Sequence, residues 1–225
     1  MLGLRLLGVV IGIGCVVFAT YGSGTKSGLE KLKPKFTVRE EPSRIVLTWS
    51  GPVAEPMRDD VMAALDRFKA DPRRIVVTLN SPGGSVAHGR LVAAAIRSVS
   101  QERPVDTLVE QGGVCASMCV PIYLAGAQRL AHPAAHFMFH LASVNPAGPV
   151  TALGDDAAVS KHRKVLEALA TDDLYEHDMG SQGVNAAWLA YMRRRIDGRD
   201  VWVTGQQLVD EGSGIVKSLV GTVAR

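Results

Sequence analysis

From Arg44 to Trp49 apolar and polar residues alternate in a stretch rich in Ile, Val and Thr, which predicts a strand. Val61, Met62, Leu65 and Phe68 then fall on one face at helical spacing, and Asp71-Pro72 stops that helix. Ile75–Leu79 is a continuous, largely β-branched run, the composition of a strand buried on both faces of a parallel sheet. It ends in the turn Asn80-Ser81-Pro82-Gly83-Gly84. Ser85 stands where it can cap a helix striped by Leu91, Val92, Ala95 and Ile96, and Val105–Val109 supplies another short strand. Gly112-Gly113 breaks the chain again. A helix is expected from about Ser117 to Ala125, with Pro121 tolerated in its first turn, followed by extended pieces at 128–131 and 135–140. Beyond a polar loop at 143–154, two helices are predicted by Val165, Leu166 and Leu169, then by Trp188, Leu189, Met192 and Ile196. From Thr204 the pattern gives a short helix and a last strand.

Strands and helices in regular succession argue for an α/β domain with a mostly parallel sheet, whose ligands sit at the carboxyl ends of strands. Both glycine-rich turns lie at such ends. The beginning of the chain is different in kind. Leu6–Ala19 is an almost unbroken apolar run preceded by Arg5, so residues 1–21 read as a signal peptide or membrane anchor. Val17 and Ala19 satisfy the small-residue rule for cleavage after Ala19; uncleaved, the run is a short spanning helix. Lys26, Lys31, Lys33 and Lys35 follow it, the basic excess of a cytoplasmic flank, which leaves orientation open. Residues 22–42 lack periodicity and read as a linker, and residues 43–225 as the domain.

Composition narrows the function. The 225 residues are 47% hydrophobic and 21% charged, ordinary for one globular domain with a short appendage. A net charge of +3, from 25 basic and 22 acidic side chains, is too balanced for a nucleic-acid footprint. No zinc-finger, RNA-binding or phosphate-loop pattern is present, and no metal or cofactor is expected.

The candidate chemistry begins at Gly112-Gly113-Val114-Cys115-Ala116-Ser117-Met118, a turn that delivers a serine to a helix start, where dipole and backbone N–H groups favour an oxyanion. Serine is also a common helix cap, and its company is what matters. The side-chain-free Gly83-Gly84 lets a substrate approach the backbone. His140 ends a short apolar strand and can act as a general base at neutral pH. Asp200 precedes Val201-Trp202-Val203, where a carboxylate can orient the imidazole. Asp197, three residues earlier, is its rival. Cys115 and Cys119 are spaced so that a helical turn brings their α-carbons within disulfide range; they can pair in an oxidising compartment or serve as small buried hydrophobes.

From Ile45 to Val220 the sequence resembles the proteolytic subunit of the Clp protease, and more closely its shorter, exported Clp-like relatives described as predicted periplasmic proteins. The resemblance rests on Asn80-Ser81-Pro82-Gly83-Gly84, Ala116-Ser117-Met118, Tyr123-Leu124-Ala125-Gly126-Ala127, then Arg129, Pro133, Ala135 and Phe137–His140, in that order. It implies a Clp/crotonase-like spiral of β-β-α units and a serine-type peptidase. Ser117 would be the nucleophile, His140 the base, Asp200 the orienting carboxylate, and the backbone N–H groups of Gly84 and Met118 the oxyanion hole. Its implied partners are a peptide or protein substrate and further copies of itself; the apolar run adds an expected membrane association through residues 1–21, and the charge balance implies no nucleic acid. Cysteines flanking the serine, here Cys115 and Cys119, are typical of the exported relatives, which favours the periplasmic side and, if paired, a rigid nucleophile turn. One departure stands out: Leu141-Ala142 occupies the place of the family's Gln-Pro.

Three other readings compete. A serine–lysine dyad of the signal-peptide-peptidase type would use Lys161 or Lys164, although Lys161-His162-Arg163-Lys164 looks like a solvated face. A non-catalytic Clp-like scaffold would keep the triad residues without turnover. An acyl-thioester enzyme would share the wider crotonase fold but has no need of a serine–histidine pair.

Overall fold

The computed structural model describes residues 33–143 and 157–221. Among the described residues, nine strands build two sheets. They are β1 (Lys35–Glu40), β2 (Arg44–Ser50), β3 (Arg74–Asn80), β4 (Val105–Val109), β5 (Val114–Ala116), β6 (Arg129–Ala131), β7 (His136–Phe139), β8 (Val201–Thr204) and β9 (Ser218–Leu219). The larger sheet runs β1-β2-β3-β4-β6-β9, with β1 antiparallel to β2 and every later pair parallel. The smaller runs β5-β7-β8, its first pair parallel and its second antiparallel. From β4 onward the chain passes repeatedly between the sheets, β5 in the small one, β6 in the large, β7 and β8 in the small, β9 in the large. The mixed α/β class and the mostly parallel pairing agree with the sequence pattern.

Ile75–Thr78 and Leu79 of β3 are buried throughout, as the run without alternation requires of a central strand. Helices α1 (Met57–Arg67) and α2 (Val86–Glu102) join β2 to β3 and β3 to β4. α1 buries Met57, Val61, Ala64 and Leu65; α2 buries Val92, Ala93 and Ile96, each large aliphatic side chain contributing ~1.5–3 kcal/mol. Ser85 caps α2 by accepting from the His88 N–H at 3.2 Å. Leu91, expected on the buried stripe, is instead 53% exposed, because the core contact is centred on Val92 and Ile96. Asp106 is buried and therefore needs partners: Arg74 donates to it at 2.9 and 2.6 Å and the Gln128 N–H at 3.1 Å, tying β3, β4 and the entry to β6.

Three expectations are corrected. Lys35–Glu40, read as part of the linker, is an edge strand in register with β2. Phe36 reaches the core while charged residues occupy most other positions, a composition that suits a sheet edge and masks the strand pattern. Val114–Ala116, read as part of a turn, is the strand β5. The helix expected from Ser117 is α3 (Cys119–Leu124) and starts two residues later. Val165, Leu166 and Leu169, whose spacing predicts a helix, lie on α4 (Ala157–Asp172) at 52%, 43% and 59% exposure.

After α4 the chain winds through a π-helical turn (Asp173–Met179) and a 3₁₀ turn (Gly180–Gln182) into α5 (Ala186–Arg195), then through β8 into α6 (Gly205–Asp210). Trp188, Leu189, Met192 and Ile196, whose spacing predicts this helix, are buried. Residues 1–21, with their apolar run, and residues 144–154 of the polar loop lie outside the described residues. Among the described residues no helix is long and apolar enough to cross a membrane.

Candidate active site

The small sheet decides which side chains meet. β5 is held on one side by Ser81, whose N–H donates to Val114 O at 2.7 Å and whose carbonyl accepts from Ala116 N at 3.0 Å. On its other side it pairs with β7, Ala116 opposite Met138. The next step along, Ser117 N donates to Met138 O at 2.9 Å, so Ser117 leaves the sheet at the carboxyl end of β7. β7 and β8 pair with Phe139 opposite Val201. One further step of that antiparallel register sets His140 opposite Asp200. Ser117, His140 and Asp200 therefore emerge at the same end of three neighbouring strands.

Alternation then sorts the two faces. His140 and Asp200 share a face with Met138 and Trp202, themselves direct cross-strand partners. Phe137, Phe139, Val201 and Val203 point the other way, into the main core. The first face borders a cleft of about 430 Å³ lined by Pro52, Gly83, Gly84, Ser117, Met138, His140 and Trp202. His140 also borders a second cleft of about 210 Å³, shared with Glu167, Arg199 and Asp200. His140 thus borders both the cleft that Ser117 lines and the one that Asp200 lines.

Ser117 adopts φ 53°, the positive-φ non-glycine residue among the described residues. The left-handed turn reverses the chain between β5 and the six-residue α3, with Met118 at the helix cap, and leaves the serine at the cleft rather than inside a helix. Gly83 makes this possible. Its φ is 91°, and a Cβ there would lie 2.7 Å from both Ser117 Cβ and Ala116 O. Gly84, at φ 152°, pairs with Val53 so closely that a Cβ would approach Val53 O to 2.4 Å. Cys115 in β5 and Cys119 at the start of α3 are joined by a disulfide.

The rival residues lie elsewhere. Asp197 is exposed on the turn after α5 and borders neither cleft, and Lys161 and Lys164 are exposed on α4. Other contributors were not anticipated. Tyr175, in the π-helical turn, donates to His140 O at 3.4 Å, and burial pushes its hydroxyl pKa up, which keeps it a neutral donor. Thr171 Oγ1 accepts from Ala142 N at 2.8 Å and donates to Glu167 O at 2.7 Å, fixing the segment that leaves His140. Met138 and Trp202 could have been found from alternation with His140 and Asp200, once β8 was assigned. Tyr175 and Thr171 carry no local signal. Among the described residues no cluster of His, Cys, Asp or Glu is arranged to hold a metal ion.

This arrangement unites a serine hydroxyl, an imidazole, a carboxylate and a glycine turn in one region, the requirements of acyl transfer through a serine. The sequence model of a family described as Clp protease matches residues 40–178. The ATP-dependent Clp protease proteolytic subunit 1 of Chlamydia pneumoniae is 31% identical over 169 residues, 73% of this chain and 81% of that protein. Its namesakes from Chlamydia caviae and Chlamydia muridarum are 31% and 32% identical over 140 and 141 residues, 61% of this chain and 66% of theirs.

Proposed function

The chain belongs to the Clp protease family, and from that premise we propose that it is a serine peptidase acting through Ser117, His140 and Asp200. The observation that supports this is the strand register, which brings the positions of Ser117, His140 and Asp200 to one end of β5, β7 and β8. His140 takes the proton from Ser117 Oγ as that oxygen attacks the scissile carbonyl, while Asp200 orients the ring and stabilises its charged form. The tetrahedral oxyanion accepts hydrogen bonds from the N–H groups of Gly84 and Met118. The amine leaves with the proton from His140, giving an acyl-enzyme on Ser117 that water, activated by the same imidazole, hydrolyses.

The substrate is a peptide or protein, and the working form is a homo-oligomer, which the exposed Val165, Leu166 and Leu169 support. The protein acts on the exported side of a membrane, directed there by residues 1–21. Support for that location comes from the disulfide beside the nucleophile, a bond that persists in oxidising compartments.

Labelling of the full chain by a fluorophosphonate probe tests the mechanism. Wild type reacts; Ser117→Ala and His140→Ala do not. A folded wild-type protein that fails to react overturns the proposal in favour of a non-catalytic domain, and labelling retained by His140→Ala points to another base.

A further inference from the structure

The nucleophile turn carries a covalent brace that peptide hydrolysis does not itself use. Cys115 is the middle residue of β5 and Cys119 the first of α3; their disulfide, with Cα atoms 5.2 Å apart, closes a ring around Ala116, Ser117 and Met118. Both cysteines are fully buried in the main core, on the side of β5 away from the cleft. The bond is therefore close to Ser117 without offering its sulfurs to a substrate.

Inside the ring, Ser117 is left-handed, a conformation that disfavours a non-glycine residue by ~1–2 kcal/mol. The non-covalent restraints are unequal. The strand side is fixed by Ala116 N donating to Ser81 O at 3.0 Å and Ser117 N to Met138 O at 2.9 Å. Toward the helix, Val120 N donates to Ser117 O at 2.9 Å, and Met118 is buried with its side chain against Gly89. Opening the bridge leaves the residue with the unfavourable φ as the hinge between strand and helix. Relaxation there would displace Ser117 Oγ and the Met118 N–H, whereas Met138 and Trp202 at the cleft wall are also held by the pairing of β7 with β8.

We propose that the Cys115–Cys119 disulfide is the positioning element of the nucleophile, so that the oxidation state of this pair sets how fast Ser117 is acylated. The inference rests on the reading of Ser117 as the nucleophile. A dithiol reductant opens the bridge by thiolate attack on one sulfur: two electrons and two protons pass to the protein, leaving thiols at Cys115 and Cys119, and the reductant becomes a disulfide. Burial of both sulfurs means that the turn opens before exchange, which makes the oxidised form the persistent one.

The experiment uses the full chain in four forms: oxidised, reduced by dithiothreitol, reoxidised, and Cys115→Ala/Cys119→Ala. Thiols are counted by the mass added by maleimide, and folding is followed by near-ultraviolet circular dichroism. Fluorophosphonate labelling at several probe concentrations separates the maximal acylation rate from probe affinity. The maximal rate is expected to fall about tenfold in the reduced and double-alanine forms, with affinity within about twofold, and to recover on reoxidation. A folded, reduced protein that labels at the oxidised rate overturns this inference alone, as does a rate lost only in step with unfolding. An oxidised protein that does not label at all overturns the reading of Ser117 and this inference with it.

Discussion

Ser117 and His140 leave adjacent strands of one sheet at the same end, but the two exits are supported in different ways. The serine turn is held by neighbours close in the fold: Ser81 and Met138 through backbone hydrogen bonds, Gly83 by the space it leaves, and a disulfide to α3. The histidine exit is held from outside the sheets, by Thr171 of α4 and Tyr175 of the π-helical turn. One side of the candidate site thus depends on the packed core, and the other on a helix whose apolar face is open. On the proposed roles, the nucleophile is the side with the strained backbone and the base the side set by a neighbouring helix.

The sharpest way to break the tighter side is Gly83→Ala. The new Cβ would stand 2.7 Å from Ser117 Cβ and from Ala116 O, and alanine at φ 91° is itself strained. Backbone cannot yield there without moving the serine, and a misplacement of ~1 Å is enough for about a hundredfold loss of rate. Fluorophosphonate labelling is expected to fall by at least that factor while the circular dichroism spectrum remains native. Gly112→Ala is the control, since its Cβ meets nothing within 4 Å, although its φ of 69° carries strain without collision. Equal losses in both variants would show that backbone strain, and not the contact with Ser117, is decisive.

The looser side is probed by Thr171→Val. Thr171 is 1% exposed, and valine keeps its shape while removing the oxygen that accepts from Ala142 N. The buried N–H is left unpaired, a loss of ~1–3 kcal/mol in chemical unfolding. Ala142 lies two residues beyond His140, so acylation should slow as well, and Thr171→Ser should restore both. Stability lost with unchanged acylation would show that α4 supports the fold without setting the base.

The same contrast explains what the sequence made legible. The turn at Ser81–Gly84 and the buried run Ile75–Leu79 announce themselves through local chemistry, glycine freedom and β-branching. Ser117, His140 and Asp200 are singled out by resemblance and by their places at element ends; the register of β5, β7 and β8 brings those positions to one end of the small sheet. β5 itself was hidden because its three residues are a strand through pairing with Ser81 and β7, neither of which is local. The φ of Ser117 was equally invisible, since serine before a helix is an ordinary cap. On α4 the period was readable, but not what lies against it: Val165, Leu166 and Leu169 have helical spacing whether they face this chain's core or another molecule.

That ambiguity makes Leu169→Asp the gentlest and most selective change. Leu169 is 59% exposed in the single chain, so replacing it leaves the core intact and should alter unfolding free energy by ~0.5 kcal/mol or less. If a second copy covers the stripe, the charge is buried against apolar surface in the assembly and must be left unpaired there. Sedimentation of wild type and variant at matched concentrations should then give a smaller species for Leu169→Asp, with the disulfide and the fold unchanged. Its consequence for the site follows from the supports of His140: a helix released from its partner is freer to shift Thr171 and, through Ala142, the imidazole. Acylation should therefore slow as the assembly dissociates and recover at high protein concentration. A variant that sediments and labels like wild type would remove this face from the assembly and leave the histidine side supported from within one chain.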